Sequence, residues 1–417
     1  MLGSVHRTEQ IWLEPSDLLA DLCHSSKNLY NKANFLIRQA FFQTSQWLRY
    51  QALWALLKTS EGYQALPAQT AQQTLKILDQ NWKAFFLTMK AWKKDPEKFH
   101  GRPYPPGYKR KDGEFLLAFT NQQARLRNGW LVLPRRVGLK VRTRLNNVQL
   151  NQVRIIPKGI GYCLEIIYTK ELEIRKGKAP DSSRVTSIDL GVRNLVTLAT
   201  NIGERPIVVK GGIVKSINQY YNKCKAHFQS IADRQGLKTS HRLQRLSLRR
   251  HGKLQDYFHK LSRRIVEWCV QHNIGTIVIG YNERWKQQTT LGKQNNQTFV
   301  TIPFYQLVNQ ISYKAEEEGI QVIKQEESYT SKCSFLDNES IEHHDRYRGR
   351  RITRGLFRAG NGMIINADVN AAYNILRKAI PNALSSWERA DGIEGIGLCP
   401  VRLSHEENWV IPSGDSS

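Results

Sequence analysis

The stretch Ser187-Ile188-Asp189-Leu190-Gly191-Val192-Arg193-Asn194-Leu195 constrains the fold of this chain more than any other. An apolar run from Arg184 to Ile188 ends in an aspartate. Leu-Gly turns the chain, and a second apolar run, Leu195 to Thr200, starts at once. The pattern predicts a β-hairpin with a carboxylate at the end of its first strand. An Asp before a Gly turn is ordinary turn chemistry. At the end of a buried strand it has a second use, holding a hard divalent cation through oxygen. A second acid stands at a strand-to-helix junction near the far end, in Ile364-Ile365-Asn366-Ala367-Asp368-Val369-Asn370-Ala371-Ala372. The fold between them decides whether these acids meet and which third one joins them.

The 417 residues suffice for two or three domains with real cores. Lys and Arg number 62 against 36 Asp and Glu, a net charge of +26. That excess points to a polyanionic partner, and nucleic acid fits best. Aromatic residues interleaved with the basic ones suit base stacking as well as core packing. The 6 cysteines form no CxxC pair, so neither a disulfide scaffold nor a four-thiolate zinc site is expected. No apolar run approaches the ~20 residues of a membrane span, and the N-terminus lacks the apolar core of a signal peptide. The expected setting is cytoplasmic, without a membrane.

Residues 9–13 are a short extended candidate. From Ser16, a candidate N-cap, the period turns helical. Further helical blocks are expected over 45–57 and, after Pro67, to about Lys94. The segment His100 to Lys111 holds three prolines and two glycines among aromatic and basic residues, which forbids helix and leaves an extended linker or a phosphate contact. Residues 115–170 alternate in strand fashion, with turns at Asn128-Gly129 and Lys158-Gly159, as a small antiparallel barrel would; 171–183 read as a linker. From Arg184 the pattern becomes mixed. Strands at 184–189, 194–200 and 206–210 precede helices at 212–235 and 250–272. A strand at 276–280, a helix at 304–318, a strand at 321–326 and a final helix at 367–378 follow. Residues 329–362 and the last thirty or so read as irregular.

Three strands in succession, then helix, strand, helix, strand, helix, is the element order of the ribonuclease H fold. Sites on that fold place acids on the first strand, on the fourth strand and at the last helix. Such acids hold Mg²⁺ or Mn²⁺ with few protein ligands, leaving positions for water and phosphate. Asp189 and Asp368 take the first and last places. The fourth strand ends in Gly280, not in an acid, and Glu283 lies three residues beyond it. Glu326 and Glu327 end the next strand. Adjacent strands lie ~4.8 Å apart, so a glutamate from there can cross. Alternation sends the two to opposite faces; Glu327 is the favoured third ligand, with Glu326 as its substitute.

These residues resemble the TnpB (OrfB) family of transposon-encoded proteins, related to single-effector type V CRISPR nucleases. The resemblance is carried by Ser187 to Asn194, Tyr329-Thr330-Ser331 and Asn366 to Ile375, and it extends to about residue 380. It implies an RNA-guided, divalent-metal-dependent DNA endonuclease with Asp189, Glu327 and Asp368 as catalytic metal ligands. It implies a guide RNA and double-stranded target DNA as partners, in a prokaryotic, nucleoid-associated setting, and a monomer is favoured. The implied fold class is α+β multidomain. A β-barrel (wedge-like) domain would take 1–14 and 115–183, an inserted helical recognition domain 15–114, and a RuvC-like nuclease domain 184–328 and 363–384. A nucleic-acid-binding insert would take 329–362 and an irregular tail 385–417. Two departures stand out. The family usually has Glu at the position of Gly280, and CxxC pairs after the Thr-Ser. Here only Cys333 follows, and with His343 and His344 it fits no zinc spacing, so no zinc is expected. A nuclease-deficient RNA-guided repressor, or a DNA-joining transposase, are the alternatives.

By the same resemblance a short flanking motif is read between the helical domain and the β-unit, near Gln72, Gln73, Thr120 and Asn121. Amide side chains suit adenine. Lys109, Arg110, Lys111, Arg245, Arg249 and Arg250, with Arg242 beside them and the arginines of the insert, are expected to meet phosphate without discriminating sequence.

Overall fold

The computed structural model describes residues 4–171, 180–282, 299–353, 355–384 and 400–404. The chain divides into two compact units, Met1–Ile174 and Arg175–Ser417.

In the first unit, β1 (Ser4–Leu13) precedes four helices: α1 (Asp17–Thr44), α2 (Tyr50–Leu57), α3 (Glu61–Gln64) and α4 (Ala68–Lys94). Ser16 caps α1, its hydroxyl accepting from Leu19 N at 3.5 Å, as its sequence position predicts. Six strands follow: β2 (Leu117–Thr120), β3 (Arg125–Arg127), β4 (Trp130–Val132), β5 (Lys140–Arg142), β6 (Gln149–Pro157) and β7 (Tyr162–Glu171). They pair as two antiparallel sheets, in the orders β1-β7-β6-β2 and β3-β4-β5. Asn128 and Gly129 both take positive φ, 48° and 73°, the backbone that a two-residue hairpin turn requires. Helices and sheets share one core, in which Leu29, Ile37, Leu75 and Trp82 join Phe119, Leu131, Val153 and Leu164.

The second unit is built on a sheet of order β12-β11-β8-β9-β10-β16. Its strands are β8 (Asp181–Leu190), β9 (Asn194–Thr200), β10 (Ile207–Lys210), β11 (Ile274–Gly280), β12 (Gln321–Gln325) and β16 (Val401–Leu403). β8, β9 and β10 pair antiparallel in succession. β11 pairs parallel to β8, and β12 parallel to β11. The helices are α5 (Gly212–Arg234), α6 (His241–Gln271), α7 (Phe304–Glu317) and α8 (Ala367–Ala379). The order of the first five strands and the helical crossovers make this a RuvC-like ribonuclease H fold within an α+β chain.

Alternation along the strands divides the core. Ile188, Leu190, Ile277 and Ile279 pack with α6 and α7 on one face. Val185 and Val278 pack with Val369, Ala372 and Ile375 of α8 on the other. The β8–β9 turn is tight enough that a Cβ on Gly191 would lie 2.6 Å from Asn194 O, so glycine is required there.

Two sequence expectations change. The tail is not wholly irregular: Val401–Leu403 adds a strand parallel to β10, short enough to be missed as a period. The insert also carries regular structure, the hairpin β13 (Arg350–Thr353) and β14 (Leu356–Arg358), continued by β15 (Ile364–Asn366). Its strands are mostly exposed, so it lacks the apolar alternation that announces a strand. Among the described residues, no helix is long and apolar enough to cross a membrane.

Candidate functional site

Asp189 is next to last on β8 and, by parity with Val185 and Ser187, faces α8. Ser187 fixes that face by donating to Ala372 O at 2.7 Å. Asp368 opens the first turn of α8. Asn366 caps the helix, accepting from the amides of Asp368 at 3.0 Å and Val369 at 3.2 Å, which orients the Asp368 side chain. The two acids sense each other: the Asp189 carboxyl is pushed above its ordinary range first by burial and then by the charge of Asp368, with Arg351 opposing. Asp368 Oδ2 accepts from Asn194 Nδ2 at 2.7 Å, and Oδ1 faces Arg351 Nη2 at 3.5 Å.

The third acid comes from the neighbouring strand. In register, β11 carries Val278 opposite Ser187 and Ile279 opposite Ile188, so Gly280 follows level with Asp189. Gly280 in turn sits opposite Gln325 of β12. Two residues past Gln325, Glu327 turns back over Gly280. A Cβ on Gly280 would overlap Glu327 Oε1, and would lie 2.9 Å from the Glu327 carboxyl carbon and 2.6 Å from Ile375 Cδ1. The Glu327 carboxylate thus occupies the space that a side chain at position 280 would fill. Its Oε1 is buried with no hydrogen-bond partner. Burial, then Asp189, then Glu326 raise its pKa above the usual carboxylate range.

Glu326 points elsewhere. Its Oε2 pairs with Lys378 Nζ at 2.7 Å, and its Oε1 accepts from Ser328 N at 2.7 Å. Those bonds hold its pKa below the ordinary value despite the opposing effect of burial.

The turn that delivers Glu327 is held by α8. Thr330 N and Oγ1 donate to Glu327 O at 3.2 and 2.9 Å. Asn374 Nδ2 donates to Thr330 O at 2.9 Å and to Cys333 O at 2.8 Å, and Asn370 Nδ2 donates to Cys333 O at 2.9 Å. Both asparagines are fully buried. Sequence reasoning missed this role, though their i, i+4 spacing in the Asp368 to Asn374 segment was the signal.

Among the described residues no three His, Cys, Asp or Glu side chains are gathered tightly enough to hold a metal as they stand. The orphaned Glu327 oxygen and the mutual repulsion around Asp189 still make these acids a donor set that fits a divalent cation. Both oxygens of Asp368 are engaged, Oδ2 by Asn194 and Oδ1 by Arg351. Beside Asp368 lies a cavity of about 450 Å³, lined among others by Arg193, Lys210, Arg351 and Arg402.

The remaining candidates divide. In the first unit, Thr120 donates to Gln69 Oε1 at 2.7 Å, Gln69 to Gln122 Oε1 at 3.2 Å, and Gln123 to Thr70 Oγ1 at 3.4 Å. The start of α4 and the end of β2 therefore meet in one amide cluster, with Gln72, Gln73 and Asn121 beside it in sequence. Arg110, Lys111, Arg242, Arg245 and Arg249 are exposed, as a phosphate contact must be. Arg250 is not: it donates to Asn218 Oδ1 and Thr301 O, both at 2.7 Å, and lies 4.9 Å over Tyr221. Lys109 is likewise packed, over Tyr30 and Phe115 at 4.9 and 5.1 Å. Both basic side chains are half-buried and make these contacts within the fold.

In the insert, Cys333 is buried with its thiol on Glu342 O at 3.7 Å. His343 meets Tyr329 edge-on, and His344 bonds Ser340. Carboxylates on backbone amides hold the loops. Asp337 accepts from Gly360 N at 2.6 Å and Asn361 N at 3.1 Å. Glu339 accepts from Ser334 N and Arg348 N, both at 2.7 Å. Glu283 and Arg354 lie outside the described residues.

Sheet order defines a protein with a RuvC-like ribonuclease H fold, with Asp189 and Asp368 at its first strand and last helix. Residues 168–286 match the OrfB_IS605 family model, described as a probable transposase, and residues 304–375 match the Cas12f1-like TNB domain. The chain is 25% identical over 402 residues to the TnpB-like protein ORF457 of Acidianus two-tailed virus, covering 87% of this chain and 82% of that one. It is 36% identical over 126 residues to the CRISPR-associated endodeoxyribonuclease Cas12f1 of Sulfoacidibacillus thermotolerans, 30% of this chain and 26% of that one. In fold it matches a chain of the cryo-EM structure of the Cas12f1-sgRNA-target DNA complex, with a TM-score of 0.54 at 13% identity, over 86% of this chain and 82% of that one. These matches make the chain similar to TnpB-like and Cas12f1-like proteins, over its second unit by family model and over most of its length by the viral relative.

Proposed function

We propose that this chain is an RNA-guided, divalent-metal-dependent DNA endonuclease of a transposable element, reading a short motif beside its target. The observation that carries the reading is Glu327 lying over Gly280. The Glu327 carboxylate fills the space that a side chain at position 280 would take, at the strand end where the fold expects an acid. A sequence drifting after loss of catalysis has no reason to keep that complementary pair, nor Asp189 and Asp368 with them.

Asp189, Glu327 and Asp368 would hold Mg²⁺ or Mn²⁺. Ions bound there would stabilise charge on the attacking and leaving oxygens of an in-line phosphoryl displacement. The chain's own basic residues do the rest. Arg193, Lys210 and Arg402 line the cavity beside Asp368 and suit a phosphate backbone. From the cavity wall, Arg351 faces Asp368 Oδ1 at 3.5 Å. A phosphate in the cavity offers that guanidinium a bidentate partner and releases Asp368 toward a cation. The amide cluster around Gln69 and Thr120, with Gln72, Gln73 and Asn121, is the proposed reader of the flanking motif.

A nuclease-deficient RNA-guided DNA-binding protein is the second reading. It is favoured by the absence, among the described residues, of a ready-made metal cage. One experiment separates the two. The protein is copurified with its RNA and given Mg²⁺ and plasmid carrying matched target and flank. Cleavage that is lost in Asp189→Ala and Glu327→Ala and kept in Glu326→Ala supports the nuclease. Intact binding without cleavage supports the second reading, and cleavage surviving Glu327→Ala removes Glu327 from the site.

A further inference from the structure

We propose that an aromatic cavity in the first unit, between α1, α4 and the 102–105 segment, is a stacking site for unpaired bases of single-stranded RNA. The choice of RNA rests on the RNA-guided reading above; the stacking chemistry rests on the cavity itself. The cavity encloses about 710 Å³. Its floor is packed aromatic: Phe41 lies 5.3 Å from Phe86, and Phe85 lies 5.2 Å from Phe86. Its rim is left open, with Phe42 61% and Tyr104 87% exposed. Rings of that size are normally buried, so their display calls for a partner.

The display is built rather than slack. The Pro- and Gly-rich stretch that carries Tyr104 is pinned along α1. Asn34 Nδ2 and Arg38 Nη1 both donate to Pro106 O, at 2.9 and 3.2 Å. Asn31 bonds both Lys109 O at 2.9 Å and Lys109 N at 2.8 Å. Charge then selects the occupant. Lys90, Lys93 and Arg102 line the cavity, and no acidic residue does. The Arg38 guanidinium also lies between two exposed rings, 5.3 Å from the Phe42 centroid and 5.5 Å from that of Tyr108.

Flat rings interleaved with cations are the platform on which successive bases of a single strand stack. A second copy of a chain with net charge +26 would bring the same cationic rim and be repelled. Target DNA arrives as a duplex with its bases stacked. The loops and ends of an RNA partner offer splayed bases from the start.

The test uses the full chain without DNA or Mg²⁺, so it stands whether or not the protein cleaves. Affinity is measured by anisotropy for a short labelled oligoadenylate, for the matching oligodeoxyadenylate and for duplex RNA. The pair Phe42→Ala with Tyr104→Ala should weaken oligoadenylate binding roughly tenfold or more. Its salt slope and its duplex affinity should not change. Phe42→Tyr with Tyr104→Phe keeps the rings and should bind like the wild type, which guards against a folding artefact. Lys90→Gln with Lys93→Gln should flatten the salt slope by about one to one and a half. Equal losses on duplex RNA, or no loss, would overturn the proposal. Equal affinity for oligodeoxyadenylate would overturn the assignment to RNA. A wild type that sediments as a dimer, with an aromatic variant that is monomeric and still binds oligoadenylate, would make the face a contact between copies and overturn it too.

Discussion

Replacing Gly280 by alanine tests the site at its tightest point. The new methyl would overlap Glu327 Oε1 and sit 2.6 Å from Ile375 Cδ1. Ordinary carbon contacts are ~3.5–4.0 Å, so something must retreat by about 1 Å. Ile375 is fully buried in the core beneath α8 and has little room. Glu327 is the free end of a flexible side chain, so it should move, and with it the third carboxylate. A 1 Å misplacement of a reacting group costs roughly 10²-fold in rate. The overpacking against Ile375 should cost about 1–3 kcal/mol of stability. Assayed as plasmid cleavage with RNA, Gly280→Ala should therefore lose about two orders of magnitude while still binding target. The decisive measurement is the cycle with Glu327→Ala. If Gly280 matters because it makes room for Glu327, then Gly280→Ala should cost almost nothing further in rate once Glu327 is gone. The stability penalty should also shrink in that background, to what Ile375 alone imposes. Full activity in Gly280→Ala, or rate losses that simply multiply across the cycle, would refute the reasoning.

Three further outcomes follow from the same geometry. Mg²⁺ at 100 times its dissociation constant should raise the stability of the wild type by about 2.7 kcal/mol, seen as a shift in melting temperature that Asp189→Asn and Glu327→Gln each abolish. Glu339→Ala should leave the Ser334 and Arg348 amides without their acceptor, costing about 1–3 kcal/mol for each one left unsatisfied; hydrogen exchange should quicken in 334–348 before anywhere else. Lys314 donates to His259 O at 2.6 Å and Ser262 Oγ at 2.7 Å, and burial pushes its pKa down to about 8, helped by Arg263 and opposed by Glu317 and Glu267. Between that value and the ordinary lysine range the unfolded chain binds more protons, so stability should rise with pH over that window; Lys314→Met should lose that rise in chemical denaturation measured across it.

The ribonuclease H order was legible because its strands are buried and bounded. The run Thr276 to Gly280 is β-branched and ends in glycine. The Asp189 hairpin carries its turn in Leu-Gly, and Asn366 announces the α8 N-terminus by its capping chemistry. The third acid was legible only as a choice between two neighbours, since alternation gives opposite faces without saying which is inward. In space, the Glu327 carboxylate lies over Gly280 while Glu326 pairs with Lys378, and one sequence does not reveal that arrangement. The β13–β14 hairpin was illegible because its exposed strands follow no apolar alternation. The contacts that Arg250 and Lys109 make within the fold were illegible because a basic side chain looks alike in sequence whether it meets phosphate or a neighbouring amide, carbonyl or ring.

The displaced glutamate changes what holds the site together. On a strand, an acid is positioned by the sheet, and the last helix positions only its own aspartate. Here Glu327 stands past the end of β12, on a turn whose next residues, Thr330 and Cys333, are gripped by Asn374 and Asn370. Those asparagines lie on α8 within two turns of Asp368, so one helix now sets two of the three acids. A shift of α8 relative to the sheet therefore moves Glu327 and Asp368 together against Asp189, where a strand-borne glutamate would have stayed with Asp189. Arg351, on the hairpin that leads into β15 and α8, engages Asp368 from outside that pair. If Asp189, Glu327 and Asp368 hold a cation as proposed, the junction of the insert with α8, where Arg351 meets Asp368, is where their spacing would be set and where substrate phosphate would act on them.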